Sequence, residues 1–85
     1  MNELLYYELK DANGVAPGLA MQISRELGRR IVAGHYKEDA LIEDEGKLSQ
    51  RFGVSKSVIR EGVKLLVSKG LLEVKRGNGT RVRRR

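Results

Sequence analysis

The sequence of 85 residues contains no cysteine, which excludes disulfide bonds and thiolate metal sites and suits a reducing environment. Its single histidine, His35, has no partner ligands at a spacing that would build a metal site. We interpret His35 as an exposed loop residue. The sequence therefore predicts neither a metal site nor a cofactor.

Long apolar runs are also missing, because none approaches the ~20 residues that a transmembrane helix needs. The first residues, Met1-Asn2-Glu3, have neither the basic start nor the apolar stretch of a signal peptide. We therefore expect a cytoplasmic protein that makes no contact with a membrane.

Patterns typical of catalysis are absent as well. The sequence has no GxxxxGK loop for phosphates and no Ser/His/Asp set that stands out from chance. A chain of this length forms one small domain, which buries only roughly 60–65% of its unfolded surface. We expect no catalytic residue, no enzyme activity and no pocket of the ~300 Å³ that a metabolite needs.

Positive charge, in contrast, is abundant and unevenly placed. Residues 46–85 carry twelve Lys/Arg against Glu61 and Glu73, a net charge of +10, whereas residues 1–45 carry a net charge of −4. Such a charge attracts nucleic acid or an acidic membrane surface. The basic face lacks an adjacent apolar face for a membrane, and the few scattered tyrosines give no platform on which single-stranded bases could stack. The charge therefore favours a nucleic-acid duplex.

The first strongly periodic segment follows Pro17, which fits the first turn of a helix. One apolar stripe with helical spacing comes next, and Gly34 ends the segment as a residue that can take a left-handed conformation. The stripe consists of Ala20, Ile23, Leu27 and Ile31. We interpret residues 1–17 as an irregular N-terminal arm.

Two further helices are predicted around a tight turn. Asp44 is a good N-cap for a helix over residues 45–52, which turns Leu48 and Phe52 toward the core. Gly53 allows a sharp exit, and Ser55 caps a second helix over residues 56–69. The inner face of that helix is predicted to hold Ile59, Gly62, Val63 and Leu66. Two short helices joined in this way indicate a helix-turn-helix.

A β-hairpin is predicted to follow Gly70. Residues 72–75 alternate in strand period, Gly77-Asn78-Gly79 suits a tight turn, and residues 80–82 return. Ala40-Leu41-Ile42 is compatible with a third strand beside this hairpin. We predict a mainly α winged helix-turn-helix fold, with three helices and a two- to three-stranded antiparallel sheet.

The basic residues of the second predicted helix recur every four residues and form a ridge, consisting of Lys56, Arg60 and Lys64, that points away from the core. A plain solvated face is the alternative interpretation. We favour contact with DNA, because few acidic residues face the ridge and because Ser55 and Ser57 join it at a helix N-terminus, where free N–H groups attract phosphates.

The hairpin tip, likewise, is either a plain surface turn or a wing that enters the minor groove of DNA, where the negative potential is strongest. We favour the wing, because cations flank its glycines. Arg83–Arg85 is interpreted as a solvated tail or the start of a linker. The full set of predicted DNA-binding residues is Ser55, Lys56, Ser57, Arg60, Lys64, Arg76, Gly77, Asn78, Gly79 and Arg81.

Four segments together resemble the N-terminal winged helix-turn-helix domain of the GntR family of bacterial transcription regulators, over residues 19–82. These segments are residues 27–34 (LGRRIVAG), 54–61 (VSKSVIRE), 70–74 (GLLEV) and 77–82 (GNGTRV). The first and last are similar to the FadR-like subfamily. The resemblance implies that Ser55, Lys56 and Ser57 begin the recognition helix, that Arg60 reads DNA, and that residues 76–78 form the tip of the wing.

Five positions depart from the pattern of the family. Lys37-Glu38 replaces the usual Pro-Gly, and Val58 stands where proline is frequent. Gly46 replaces a basic residue, so one DNA contact is missing. Lys56 replaces an arginine, which removes a planar fork for guanine.

The resemblance implies a homodimer that binds a palindromic operator, with a metabolite bound by a further C-terminal domain. We therefore expect residues 18–82 to bind double-stranded DNA sequence-specifically, residues 83–85 to lead into that domain, and this chain alone to be monomeric or a weak dimer. The alternative function is a winged-helix module that offers its basic face to an acidic protein.

Overall fold

The computed structural model describes residues 17–77 and 79–84. Three helices precede one hairpin, and their bounds are α1 Pro17–Val32, α2 Glu45–Phe52, α3 Lys56–Ser68, β1 Leu72–Lys75 and β2 Gly79–Val82. The predicted fold class, a mainly helical winged helix-turn-helix, is confirmed. The predicted N-terminal arm, except Pro17, lies outside the described residues, as do Asn78 and Arg85.

The predicted apolar stripe of α1 is buried along its whole length, from Ala20 to Ile31. The helix ends at Val32, and the chain turns away at Gly34, whose φ of 88° is open to glycine because it has no Cβ. The N–H of Gly34 donates to the carbonyl of Ile31 (3.1 Å), and the N–H of His35 donates to the carbonyl of Arg30 (2.9 Å). This pair of bonds satisfies carbonyls that the end of a helix leaves free.

The turn between α2 and α3 is built by the residues that the sequence predicted. The Asp44 carboxylate accepts from the N–H of Lys47 at 2.8 Å, and the Ser55 hydroxyl accepts from that of Val58 at 3.2 Å. Gly53, with a φ of 68°, reverses the chain between them. The recognition helix α3 is one residue shorter than predicted, because Lys69 serves as its C-cap.

Helix α3 lies at the centre of the core and contacts α1, α2 and β1. Its buried face is therefore wider than the single stripe that we predicted. Val58, which the prediction left out, is only 1% exposed, whereas Val63 is half-buried. Gly62 lets α1 approach closely, since a Cβ there would lie 2.9 Å from Cγ2 of Ile23.

The hairpin is attached to the core at its base, where the paired residues Leu72 and Val82 are both buried. The predicted third strand is reduced to one bridge between Leu41 and Arg81. Three backbone hydrogen bonds of 2.9 Å support it, from Asp39 to Val82, from Ile42 to Thr80 and from Val82 to Ala40. The sheet therefore has two strands and a bridged segment at its edge.

The residues after β2 continue the hairpin. The N–H of Arg83 donates to the carbonyl of Leu71 at 3.0 Å, and Nε of Arg84 donates to the Asp39 carboxylate at 3.0 Å. Residues 83 and 84 are exposed but remain attached to the domain.

Candidate nucleic-acid interface

The predicted ridge is exposed along one face of α3. Lys56, Arg60 and Lys64 follow one another at intervals of four residues and are all exposed. Ser55 is also exposed, although its hydroxyl is engaged in capping, and Ser57 is half-buried. The exposed N-terminus of α3 therefore presents Ser55 and Lys56 at the positive end of a helix, which suits phosphate oxygens and base edges.

Arg60 is held by Glu45 of α2 through two hydrogen bonds, from Nε to Oε2 at 3.0 Å and from Nη2 to Oε1 at 2.9 Å. These bonds hold the pKa of the Glu45 carboxyl below its ordinary value and raise the pKa of the Arg60 guanidinium. Both groups are charged at neutral pH. The expectation that few acidic residues face the ridge is wrong here.

Two other predicted cations also have acidic partners. Nζ of Lys64 lies 3.3 Å from a Glu61 carboxylate oxygen, and Nε of Arg81 lies 3.2 Å from one of Glu73, its cross-strand neighbour. Within residues 17–77 and 79–84, Lys56 forms no ion pair. Lys64 and Arg81 must therefore exchange a carboxylate partner for a phosphate, whereas Lys56 can bind a phosphate without losing an ion pair.

The wing presents an exposed turn after β1. Arg76 and Gly77 are exposed, and the φ angles of Gly77 (81°) and Gly79 (85°) both suit glycine. In the part of the chain that the structure describes, Arg76 forms no ion pair. Asn78, the third predicted residue of the tip, lies outside that part.

A groove of about 840 Å³ separates α3 from the inner face of the wing. Its lining includes the exposed side chains of Leu41 (59%) and Val74 (63%), together with Val63 and Arg60. The expectations of no sizeable cavity and of no apolar surface beside the basic face are therefore wrong. The groove was missed because its walls come from three segments that are distant in sequence.

A second polar cluster joins the α1–α2 connection to the end of α2. The hydroxyl of Tyr36 donates to Oε1 of Glu43 at 2.6 Å, and Arg51 lies 2.9 Å from the other oxygen of the same carboxylate. Burial raises the pKa of Tyr36, and the hydrogen bond to Glu43 adds to this rise. The cluster fixes the last turn of α2 to the connection that precedes this helix.

The described residues contain no group of three or more acidic, histidine or cysteine side chains placed to hold a metal ion. None of the helices described is long and apolar enough to cross a membrane.

Residues 19–82 match the profile of the family described as bacterial regulatory proteins, gntR family. This chain belongs to the GntR family. The resemblance noted in the sequence is thereby confirmed at the level of the family, whereas its narrower likeness to the FadR-like subfamily stays a prediction. The family is one of transcription regulators, and the matched residues form its helix-turn-helix DNA-binding domain.

Two regulators of Escherichia coli (strain K12) are similar in sequence. The uncharacterized HTH-type transcriptional regulator YieP is 36% identical over 64 residues, and the galactonate operon transcriptional repressor is 38% identical over 53 residues. These matches cover 75% and 62% of this chain but only 28% and 23% of those proteins. The chain thus spans about a quarter of the length of these relatives.

Solved structures that are similar to this chain include complexes with DNA. The DNA-binding domain of AraR, in complex with operator ORR3, is 39% identical with a TM-score of 0.71, and the match covers 75% of this chain and 77% of that one. Streptococcus agalactiae GntR is 31% identical with a TM-score of 0.69, over 75% and 31% of the two chains.

Proposed function

We propose that this chain is the sequence-specific DNA-binding domain of a bacterial transcription regulator that acts in the cytoplasm. The observation that carries the proposal is the exposed basic ridge of α3, in a winged helix-turn-helix whose relative AraR was solved on operator DNA. The net charge of +10 over residues 46–85 supports it, because phosphate attraction dominates the affinity of such domains.

The proposed contacts follow from the resemblance to the family and from the exposure of Ser55, Lys56, Arg60, Lys64 and Arg76. The N-terminal end of α3 enters the major groove, where Ser55, Lys56 and Ser57 meet phosphates and base edges and Arg60 reads a base. Lys64 lies one turn further along the helix and contacts the backbone. In the wing, a glycine turn flanked by Arg76 and Arg81 approaches the minor groove. The wing contacts are assigned to Arg76, Gly77, Asn78, Gly79 and Arg81.

The proposal also covers the domain organisation of the longer regulator. We propose that residues 18–82 are the DNA-binding unit and that residues 83–85 lead toward a further domain, since the curated relatives are about four times as long as the segment matched. In that protein, two copies bind a palindromic operator, and the further domain binds an effector metabolite.

Selection from a random pool of duplexes with the 85-residue chain tests the proposal. We expect the pool to converge on one half-site motif and the selected duplex to bind at least ~1,000-fold more tightly than random duplex. A pool that binds without converging would contradict sequence specificity. A chain that shifts no duplex at low salt would instead favour the alternative of a module that binds an acidic protein.

A further inference from the structure

The pair formed by Glu45 and Arg60 joins two helices that are fifteen residues apart in sequence. Glu45 occupies the first turn of α2, where the helix N-terminus favours a carboxylate, and Arg60 lies on the ridge of α3. Their side chains are 41% and 54% exposed. Exposed ion pairs contribute little to folding stability, so the main effect of this pair is on the orientation of the Arg60 guanidinium.

The geometry leaves one edge of Arg60 available. A guanidinium carries five N–H groups, and Glu45 takes the Nε–H and one N–H of Nη2. The remaining N–H of Nη2 and those of Nη1 form a second planar fork at the end of the side chain. Guanine offers O6 and N7 to such a fork in the major groove, and this bidentate pairing is the commonest specific contact to DNA.

We propose that Glu45 is a positioning residue that holds Arg60 with its free fork directed at guanine. The inference rests on the proposed function, because it requires that Arg60 reads a base. The side chain of an unpaired arginine rotates freely and loses that freedom on binding, whereas an arginine already held in the bound geometry loses less. Glu45 also places a negative charge beside the phosphate path, which weakens binding to DNA of any sequence.

Removing the charge of Glu45 should therefore have two opposite effects. Discrimination for guanine should fall, because Arg60 is no longer held. Binding to random duplex should stay unchanged or become tighter, because a negative charge is lost. Loss of folding would weaken both kinds of binding together, so this pattern separates a positioning role from a structural one.

The chain offers a matched control in Glu61. It also pairs with a cation of the ridge, Lys64, at 3.3 Å, but through one contact within a single helix turn. Glu61→Gln removes the same charge from the same surface without releasing Arg60. Glu45→Asp keeps the charge but shortens the reach by one methylene, so it should give intermediate discrimination.

The experiment uses the 85-residue chain and the duplex selected from the random pool. Substituting each base pair of that duplex identifies the guanine at which Arg60→Ala loses discrimination. Glu45→Gln should lower the discrimination at that base pair by ~3-fold or more, whereas Glu61→Gln should leave it unchanged. In the Arg60→Ala background, Glu45→Gln should have no further effect on discrimination. Thermal unfolding of each variant verifies that it is folded.

Two results would overturn the positioning role and leave the proposed function intact. One is an unchanged discrimination in Glu45→Gln while Arg60→Ala loses it. The other is a loss in Glu45→Gln that persists in the Arg60→Ala background, which would mean that Glu45 acts on DNA without Arg60. If Arg60→Ala keeps full discrimination at every base pair, or no duplex is selected, both the reading role and the positioning role are wrong.

Discussion

At the residue scale, the cations of the ridge differ in their partners. Arg60 is held from a second helix and Lys64 is paired within α3, whereas Lys56 forms no ion pair among the described residues. Lys56 stands at the start of α3, the end of the helix that we propose enters the major groove. Its ammonium group is a point charge that cannot pair with two acceptors of guanine in one plane.

Lys56→Arg should therefore tighten binding to half-sites that carry guanine opposite this position. A planar fork pairs with O6 and N7 together, and such a pair contributes ~1–3 kcal/mol of discrimination. Fluorescence anisotropy with duplexes in which guanine is moved along the half-site measures the change. Unchanged or weaker binding across the whole set would identify Lys56 as a contact to phosphate.

Gly46 leads to a prediction about stability. It lies inside α2, and a Cβ there would meet Oδ1 of Asp44 at 3.4 Å and Cε of Lys56 at 3.8 Å, which are ordinary contact distances. Gly46→Ala should raise the free energy of unfolding by about 0.4–1 kcal/mol, because alanine loses less backbone entropy than glycine when the chain folds. Chemical denaturation checks this. Gly34→Ala is the contrasting control and should destabilise, because its φ of 88° disfavours a side chain.

At the scale of elements, the orientation of the recognition helix depends on how closely α1 packs against it. A Cβ at Gly62 would lie 2.9 Å from Cγ2 of Ile23 and 3.2 Å from the backbone oxygen of Ala20. Backbone of α1 would have to move to make room. The ridge of α3 is therefore oriented by a contact on the opposite face of the same helix.

Gly62→Ala should lower the free energy of unfolding by about 1–3 kcal/mol, as expected when atoms are added to a packed core. Gly28→Ala is the matched control, because its Cβ would meet only side-chain atoms, Cδ2 of Leu66 at 3.2 Å and Cδ1 of Leu71 at 3.8 Å. Its loss should be smaller, since a leucine side chain can turn away. Urea denaturation of both variants makes the comparison, and equal losses would contradict the close approach at Gly62.

The sequence was sufficient wherever a structural feature depends on residues a few positions apart. Caps such as Ser55, the glycine that ends α1 and the alternation of β1 each follow from local chemistry. The burial of Val58 could not be predicted in this way, since it depends on how other parts of the chain pack around α3. The same holds for the contact of Glu45 with Arg60 and for the groove beside Val74, because nothing in the spacing of these residues indicates that they meet.

At the scale of the whole molecule, the uneven charge should dominate the salt dependence of binding. Each phosphate that is neutralised releases counterions, so the logarithm of the affinity falls by about 0.9 per contact for each unit of the logarithm of salt concentration. With several contacts, raising the salt from roughly 50 to 200 mM should weaken binding at least ~10-fold. Anisotropy titrations at both concentrations measure this, and an affinity that does not respond to salt would contradict phosphate contact.

We also expect the 85-residue chain to be monomeric, or a weak dimer, at micromolar concentration. The apolar stripe of α1 is buried in the core, so it is not available for an interface between two copies. A stable interface generally buries more than about 1,000 Å² in total. Sedimentation velocity provides the test. If a tight dimer forms without DNA, Val74→Thr tests whether the groove beside the wing is the interface. This change replaces an exposed apolar side chain with a polar one of similar shape and should weaken a dimer that uses the groove.

The bridge between Leu41 and Arg81 helps to hold the wing at one end only. The base of the hairpin is held by the buried pair of Leu72 and Val82 and by backbone hydrogen bonds from Asp39 and Ile42 to β2. Lys75, near the other end, is exposed. Because a structure held at one end is displaced most easily at the other, the hairpin is held firmly at Leu72 and Val82 and less firmly at Lys75 and Arg76. If the wing enters the minor groove as we propose, Arg76 can adjust to grooves of different width while the base of the hairpin stays fixed on the domain.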